Sequence, residues 1–259
     1  MHPVQVFDQL SFSRGGQGVQ LTCTKPGLPT DSRNLVYRAA AAFLQSAKIK
    51  EGVRVHLEKR IPLAAGLGGG SGNAAITLLG LNELFEGALT TAQLQEIAAS
   101  LGSDVPFFLQ AKTALGTGRG ERIQPLEPFP ALEGAAFLLI HPGFGIATAW
   151  AYQQLARFPA ALNGKPGRAQ KLISLLQTAG LKRAGAEFYN SLEAPALEKY
   201  PLLALFQEFL RVNGAEATLM SGSGSTTFAV VQGRAAAETL AEKFQNKFGR
   251  ANWFAVVEA

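Results

Sequence analysis

The segment best suited to chemistry is a glycine-rich run in which four of five consecutive positions, 66 to 70, are glycine. The whole segment consists of Pro62, Leu63, Ala64, Ala65, Gly66, Leu67, Gly68, Gly69, Gly70, Ser71 and Gly72. Small side chains let the backbone approach a polyanion, and the N–H groups of a loop that opens a helix point at such a ligand. A tight strand-to-helix turn would explain only one or two of the glycines, so the segment predicts phosphate binding. It is not a Walker loop, because no Gly-Lys-Ser/Thr closes it, and the dinucleotide fingerprint matches poorly.

A carboxylate that could move a proton follows in residues 101–108, which read Leu-Gly-Ser-Asp-Val-Pro-Phe-Phe. Asp104 lies between a predicted helix and Pro106, which we expect to prevent a further helix. A carboxylate positioned there could accept the proton of an attacking hydroxyl, as phosphoryl transfer requires. The same position suits a helix cap or a turn, and the local sequence leaves both interpretations open.

Hydroxyl-bearing and small residues recur at three other places. Ser71 opens the helix after the glycine-rich run and could either cap that helix or contact Mg²⁺ and phosphate. Thr148 and Tyr152 are four positions apart, hence on one face of a predicted helix, where simple packing is the alternative. The Ser-Gly-Ser-Gly-Ser turn at 221–225, which contains Gly222, Ser223 and Gly224, could be a plain hairpin on its residues alone.

The elements that must position these residues follow from capping signals and periodicity. Helices are predicted at 34–47, 71–85, 91–100, 148–155, 171–179, 202–212 and 234–248. Strands are predicted at 19–24, 53–58, 113–116, 136–141, 217–220, 227–231 and 252–257. Because this order lacks a strict βαβ rhythm, it predicts an α+β fold. After His141-Pro142-Gly143 the predicted elements change to a series of helices. This change predicts two domains, residues 1–145 and 146–259.

Composition narrows the class of protein. The chain has 259 residues, 47% hydrophobic and 17% charged, which is typical of a globular protein with a sizeable core. It has no membrane-length apolar run, and its first ten residues lack the basic and apolar regions of a secretory signal, so we expect a cytoplasmic protein without membrane partners. The net charge of +5 suits anionic ligands, but the charges are scattered and predict no nucleic-acid surface.

The single cysteine, Cys23, cannot form an intramolecular disulfide. We expect a monomer or a weak homodimer.

Several of these motifs occur together in one known family. The run Pro-x-x-x-Gly-Leu-Gly-Gly-Gly-Ser is similar to the nucleotide loop of the GHMP kinases. Residues 102–107 resemble the Gly-Ala/Ser-Asp-Val-Pro-Phe segment of one family within them, the diphosphocytidyl-methylerythritol kinases. Residues 116–121 resemble the Gly-x-Gly-x-Gly-Glu that follows it there. With 221–225 at the third motif position and 141–143 at the domain junction, the resemblance covers nearly the whole chain.

The resemblance implies a two-domain GHMP kinase fold, with an N-terminal domain like ribosomal protein S5 and a C-terminal ferredoxin-like sandwich. It implies transfer of the ATP γ-phosphoryl group, with Mg²⁺, to the 2-hydroxyl of 4-diphosphocytidyl-2-C-methyl-D-erythritol in non-mevalonate isoprenoid precursor synthesis. It assigns catalysis to Asp104, the ATP triphosphate to residues 62–72, and stacking on the cytosine to Tyr152. It also implies that the loop at 221–225, with Gly222, Ser223 and Gly224, closes over the substrate and phosphate region. The alternatives are a GHMP kinase for another small alcohol, against which residues 102–107 argue, and a noncatalytic nucleotide-binding paralogue.

The resemblance fails at the start of the chain. Members of the family begin with a strand containing Ala-Lys-Ile/Leu-Asn-Leu and then a Gly-Tyr/Phe-His-x-Leu segment, and residues 4–10 here resemble the strand that follows them. We therefore expect the catalytic lysine to be absent from this sequence. Lys48, Lys50 and Lys59 do not lie in the family motif. Either the native protein carries the strand upstream of Met1, or the chain is a short paralogue, and the sequence does not decide between these.

Overall fold

The computed structural model describes residues 1–110, 112–162 and 166–259 of the chain. These residues form two compact units. The first unit comprises residues 1–3, 7–61 and 68–127, and the second comprises 4–6, 62–67 and 128–259. The glycine-rich segment is therefore shared, because its first six residues belong to the second unit and the rest to the first. The domain boundary near residue 145 stays a prediction.

The first unit is a small mixed sheet covered by helices, with a separate hairpin. Its strands are β1 (Gln9–Arg14), β2 (Val19–Cys23), β3 (Val53–Glu58), β4 (Ala114–Thr117) and β5 (Arg122–Pro125). Its helices are α1 (Leu35–Ser46), α2 (Gly69–Leu84), α3 (Thr91–Leu101) and α4 (Val105–Gln110). The sheet order is β1-β3-β2, with β1 antiparallel and β2 parallel to β3, and β4 pairs with β5.

Local signals explain why these elements form where they do. Asn34 caps α1 by accepting from the amide of Val36, and Thr90 and Gln93 form a capping box at the start of α3. The strand β3 alternates buried apolar and exposed polar residues, so one face lies on the core and the other on solvent. Helices α1, α2 and α3 cover the apolar face, with Phe43 and Leu78 fully buried between them.

The second unit contains an antiparallel sheet with helices packed on it. Its strands are β6 (Ala135–His141), β7 (Ala217–Met220), β8 (Thr227–Gln232) and β9 (Trp253–Glu258), in the order β7-β8-β6-β9. Its helices are α5 (Thr148–Leu155), α6 (Pro159–Leu162), α7 (Arg168–Thr178), α8 (Leu181–Gly185), α9 (Glu193–Lys199), α10 (Pro201–Val212) and α11 (Arg234–Phe248), with one 3-10 turn at Pro130–Leu132. Every residue of β6 is buried, as expected of a central strand. A cluster of phenylalanines, including Phe206 and Phe244, packs α10 and α11 on this sheet.

The α+β prediction is confirmed, and most predicted elements occur within a few residues of their expected bounds. Pro106 is a correction, because it lies at the second position of α4 instead of preventing a helix. Proline is tolerated in a first helical turn, where its missing N–H has no intrahelical partner. The strand that residues 4–10 resemble begins only at Gln9. β5 and the short helices α4, α6, α8 and α9 were not predicted. No helix of the described residues is long and apolar enough to cross a membrane.

Candidate active site

The first half of the glycine-rich segment is held by three bonds to its backbone carbonyls. Within the second unit, the carbonyls of residues 64, 65 and 66 accept from the amide of Ile146, the amide of Thr226 and the hydroxyl of Ser221. The donor–acceptor distances are 3.2, 3.1 and 2.9 Å in that order. This part of the segment therefore docks on the Ser-Gly turn that connects β7 to β8. We call residues 62–67 and 221–226 the interlocked loops.

Glycine is required where the interlocked loops meet. Gly66 has φ +75°, and a Cβ there would lie 2.0 Å from the carbonyl oxygen of Ser221 and 2.8 Å from the amide nitrogen of Gly224. A Cβ on Gly222, which has φ +53°, would lie 2.9 Å from the carbonyl oxygen of Gly66. Both positions thus combine a left-handed backbone with a space that admits no side chain. The structure brings together two predicted ligand loops that are 155 residues apart in sequence.

The second half of the segment, in the first unit, forms the start of α2. Gly68 is the N-cap with φ +66°, it has no side chain to bond the helix, and Gly72 donates the first bond back to its carbonyl. The amides of the first three helical residues consequently have no partner within the helix. The fully described first turn holds no acidic residue, so nothing there opposes an anion. Ser71 is the third helical residue, so the alternative that its side chain caps the helix was wrong.

Asp104 precedes α4, a helix that packs on the start of α2. Phe108 of α4 touches the N-terminal turn of α2, because a Cβ on Gly68 would lie 2.7 Å from its ring and one on Gly72 would lie 3.4 Å from it. Asp104 precedes α4 in a turn, one helical turn ahead of Phe108, and is exposed. Its carboxylate also faces the β4–β5 turn, since a Cβ on Gly120 would lie 3.8 Å from its Oδ1. The first unit thus presents an accessible carboxylate one helical turn from the residue that packs on the start of α2.

A buried ion pair lies beside the first turns of α2 in the first unit. Lys59 Nζ is 2.6 Å from Asp8 Oδ2, and the two side chains are 6% and 0% exposed. Asp8 also accepts from the amides at positions 60 and 61, at 2.7 and 2.8 Å, and from Asn73 of α2 at 2.8 Å. Lys59 donates a second bond, of 2.7 Å, to the carbonyl of Ile61. Burial raises the pKa of Asp8, but these bonds outweigh it and leave the pKa below its usual value. The network ties the residues that follow β3 to α2 within the first unit.

The remaining predicted site residues lie on α5 and on the Ser-Gly turn of the second unit. Thr148 Oγ1 and Ser223 Oγ are 2.9 Å apart, so the first turn of α5 is bonded to the turn. Tyr152 is 61% exposed on the same helix. The buried Ser225 hydroxyl donates to the carbonyl of Phe144 and lies 3.2 Å from Nδ1 of His141. The turn is thereby anchored at both sides, with Ser223 directed toward α5.

Three polar residues with structural roles were missed by the sequence interpretation. Asn190 and Glu193 contact Met220 and Gly222 from the start of α9, and Asp8 forms the buried pair. The spacing of Asn190 and Glu193 matches a capping-box pattern and could have marked a helix start. Nothing in the sequence indicates that either side chain reaches the Ser-Gly turn. No group of three or more His, Cys, Asp or Glu suited to a metal occurs among the described residues.

Comparison with known proteins places this architecture in a class. Residues 34–112 match the GHMP kinases N terminal domain, and residues 159–250 match the GHMP kinases C terminal. A solved structure of 4-(cytidine 5'-diphospho)-2C-methyl-D-erythritol kinase superposes with a TM-score of 0.76 at 33% identity, covering 97% of this chain and 86% of that one. A homoserine kinase from Cytophaga hutchinsonii has the same TM-score at only 19% identity, with 97% and 85% covered, so it shows the shared fold alone.

Curated relatives define the family within that class. The 4-diphosphocytidyl-2-C-methyl-D-erythritol kinase of Synechococcus sp. is 40% identical over 237 residues, which cover 89% of this chain and 75% of that protein. The enzyme of the same name from Geobacter sp. is 38% identical over 240 residues, covering 92% and 80%. The chain belongs to the 4-diphosphocytidyl-2-C-methyl-D-erythritol kinase family of the GHMP kinases. The resemblance seen in the sequence, the two-domain fold and the kinase class are thereby confirmed.

Proposed function

We propose that this chain transfers the γ-phosphoryl group of ATP, with Mg²⁺, to the 2-hydroxyl of 4-diphosphocytidyl-2-C-methyl-D-erythritol in non-mevalonate isoprenoid precursor synthesis. The observation that carries the proposal is the N-terminus of α2. Its side-chain-free cap, unpaired amides and lack of acidic residues fit a polyphosphate. The relatives described above are kinases named for this substrate.

The glycine-rich segment suits a triphosphate in both halves. The carbonyls of residues 64–66 are held by hydrogen bonds, and the amides of residues 69–71 point outward from the helix start. A loop held in this way needs little further ordering when it binds its ligand, which lowers the entropy cost of binding. Ser71, in the first turn of α2, is the residue whose hydroxyl we assign to the phosphates and their Mg²⁺.

Asp104 is the residue we assign to the acceptor hydroxyl. It is an exposed carboxylate held at the start of α4, which packs against the first turn of α2 through Phe108. A carboxylate that accepts or orients the proton of the attacking alcohol favours phosphoryl transfer. Lys59, by contrast, is committed to Asp8 and the carbonyl of Ile61, so it does not supply a mobile cation for the transferred group.

The residues that we assign to the acceptor substrate lie in the second unit. Tyr152 offers an exposed aromatic ring for the cytosine, and Thr148 and Ser223 offer hydroxyls that already bond each other. Gly222 and Gly224 flank Ser223 and let a ligand approach the turn backbone. We place the protein in the cytoplasm as a monomer or a weak homodimer, acting on small molecules without nucleic-acid or membrane partners.

The test is an ADP-release assay with Mg-ATP and the diphosphocytidyl substrate, run in parallel with calorimetric binding of a nonhydrolysable ATP analogue. Turnover that requires both the substrate and the chain supports the proposal. Homoserine and mevalonate serve as alternative acceptors in matched reactions. Nucleotide binding without turnover on any acceptor would instead favour the noncatalytic paralogue. Turnover only with another alcohol would overturn the substrate and keep the kinase class.

A further inference from the structure

The Ser-Gly turn at 221–226 has little apolar surface with which to fix its own shape. Gly222 and Gly224 both adopt positive φ, +53° and +86°. Only two backbone bonds lie within the turn, Ser221 to Thr226 at 2.8 Å and Gly224 to Ser221 at 2.9 Å. Glycines lose much conformational freedom on ordering, so a turn of this composition must be held by contacts from outside.

Asn190 supplies two of these contacts. Its side-chain amide donates to the carbonyls of Met220 and Gly222, at 2.8 and 2.7 Å. Its own Oδ1 accepts from the amide of Leu192 at 3.0 Å, which fixes the orientation of the side chain just before α9. Both donors of one amide group thus bond the entry to the turn.

Glu193 also holds the end of β7, because it bonds the amide of Met220, whereas Asn190 bonds the carbonyl of that residue. Its Oε1 accepts from the amide of Met220 at 2.7 Å and from the side chain of Gln207, a buried residue of α10, at 2.5 Å. Because β7 is an edge strand, this amide has no neighbouring strand to bond on that side. Burial raises the pKa of Glu193, against the opposing effects of the Met220 and Gln207 bonds and the charge of Arg211.

We propose that Asn190 and Glu193 are positioning residues for the acceptor site, and that they set the Ser-Gly turn so that Ser223 faces its ligand. The inference rests on the proposed function for the role of the turn. Gly222, bonded to Asn190, directly precedes Ser223, whose hydroxyl reaches Thr148 of α5 at 2.9 Å. The bond from Asn190, just before α9, therefore fixes the backbone next to Ser223 and with it the position of the Ser223 hydroxyl.

The first test is Asn190→Asp, which keeps the shape but replaces two donors with an oxygen that faces the carbonyls of Met220 and Gly222. Its matched control is Asn213→Asp, because Asn213 also donates a side-chain bond, of 2.9 Å, to a backbone carbonyl in the same unit. We expect kcat/KM for the diphosphocytidyl substrate to fall at least roughly tenfold in the first variant, with KM for ATP unchanged. The control should lower the melting temperature without this loss. The proposal is wrong if the two variants lose kcat/KM in the same proportion to their loss of melting temperature, because the kinetic loss would then follow from destabilisation alone.

A second test separates bonding from simple packing at Glu193. Glu193→Gln retains an oxygen for the Met220 amide and should keep wild-type kcat/KM within about threefold, whereas Glu193→Leu should lose at least roughly tenfold. If Gln and Leu behave alike, positioning by this bond is wrong.

Hydrogen exchange tests whether Asn190 holds the turn, and it does not require an active enzyme. A wild-type chain without turnover would count against the proposed function but not against this role of Asn190. Asn190→Asp should accelerate amide exchange at 221–226, and Asn213→Asp should not. Unchanged exchange at the turn in Asn190→Asp overturns the inference whatever the activity.

Discussion

The hydroxyl of Ser221 donates to the carbonyl of Gly66 across 2.9 Å, joining two glycine-containing loops that the sequence separates by 155 positions. The carbonyl is reachable because neither Gly66 nor Gly222 carries a side chain at the contact. The conformation of the glycine-rich segment is therefore set partly by a turn that lies near the other end of the chain.

Gly66→Ala should destabilise the protein more than its backbone angle alone explains. The new Cβ would meet the carbonyl oxygen of Ser221 at 2.0 Å, in addition to adopting φ +75°. Gly167→Ala is the matched control, because its φ is +77° with the backbone in the left-handed helical region, and nothing lies within 4 Å of the added Cβ. We expect about 1–2 kcal/mol from the left-handed backbone in both variants, and a further 1–3 kcal/mol, roughly, from the clash in the first. Urea unfolding measures the difference. Equal losses in the two variants would mean that the loops separate readily.

Lys59→Met should be strongly destabilising, although the residue is a charged one. It leaves the buried carboxylate of Asp8 without its counter-ion, a change that typically costs about 3–5 kcal/mol. Arg60→Met breaks the exposed pair between Arg60 and Glu58 and should cost no more than about 1 kcal/mol. The double variant Asp8→Leu, Lys59→Met should be more stable than Lys59→Met alone, because no unpaired charge remains. The prediction is contradicted if both single variants unfold at the same urea concentration.

Protonation of Asp8 should make the protein less stable as the pH falls. The folded chain lowers the pKa of this carboxyl, so in acid the unfolded chain binds more protons than the folded one. The contribution to stability is complete above the unfolded pKa of about 4 and is lost as the pH falls toward and through the folded value. Unfolding free energies measured between pH 3 and 7 should therefore fall more steeply on acidification in the wild type than in Asp8→Asn. Parallel curves would show that Asp8 does not contribute.

Asp104→Asn should impair catalysis without affecting folding. Because the side chain is exposed in a turn, the melting temperature should stay within the range of surface substitutions. Loss of a proton acceptor should lower kcat by about 10²- to 10⁴-fold, with little change in KM for ATP. Glu96→Gln, an exposed carboxylate of α3, is the control and should leave kcat unchanged. An unaltered kcat in Asp104→Asn would remove Asp104 from the mechanism and leave it a turn residue.

The sequence was most informative where the signals are local. The predicted bounds of α5, β7 and α11 agree with the structure, and for α11 the flanking Gly233 and Gly249 mark both ends. Pro106 misled the prediction because proline ends a helix only from within, and here it lies in the first turn. The helix α9 is short and carries Pro195 near its start, so no periodic pattern could develop.

The segments that we assign to the site could be selected one by one from the sequence, but the contacts between them could not. Glycine content and the position before a helix indicated phosphate binding without any structural information. The contacts of Gly66 with Ser221, and of Asn190 with Met220, are made to backbone atoms, so no complementary pair of residue types records them in the sequence. The pair of Asp8 with Lys59 is likewise hidden, because its partners are 51 positions apart and their burial depends on the completed fold.

The interlocked loops also bear on how sequences of this kind can recombine. A crossover anywhere between residues 67 and 221 would join a glycine-rich segment from one parent to a Ser-Gly turn from another. The fit between the two loops depends on backbone carbonyls and amides and on the missing side chains of Gly66 and Gly222. Every parent that has the same glycines shares these features. Chimeric descendants should thus inherit a working junction even from parents whose other residues have diverged widely, provided that Gly66, Ser221 and Gly222 are retained.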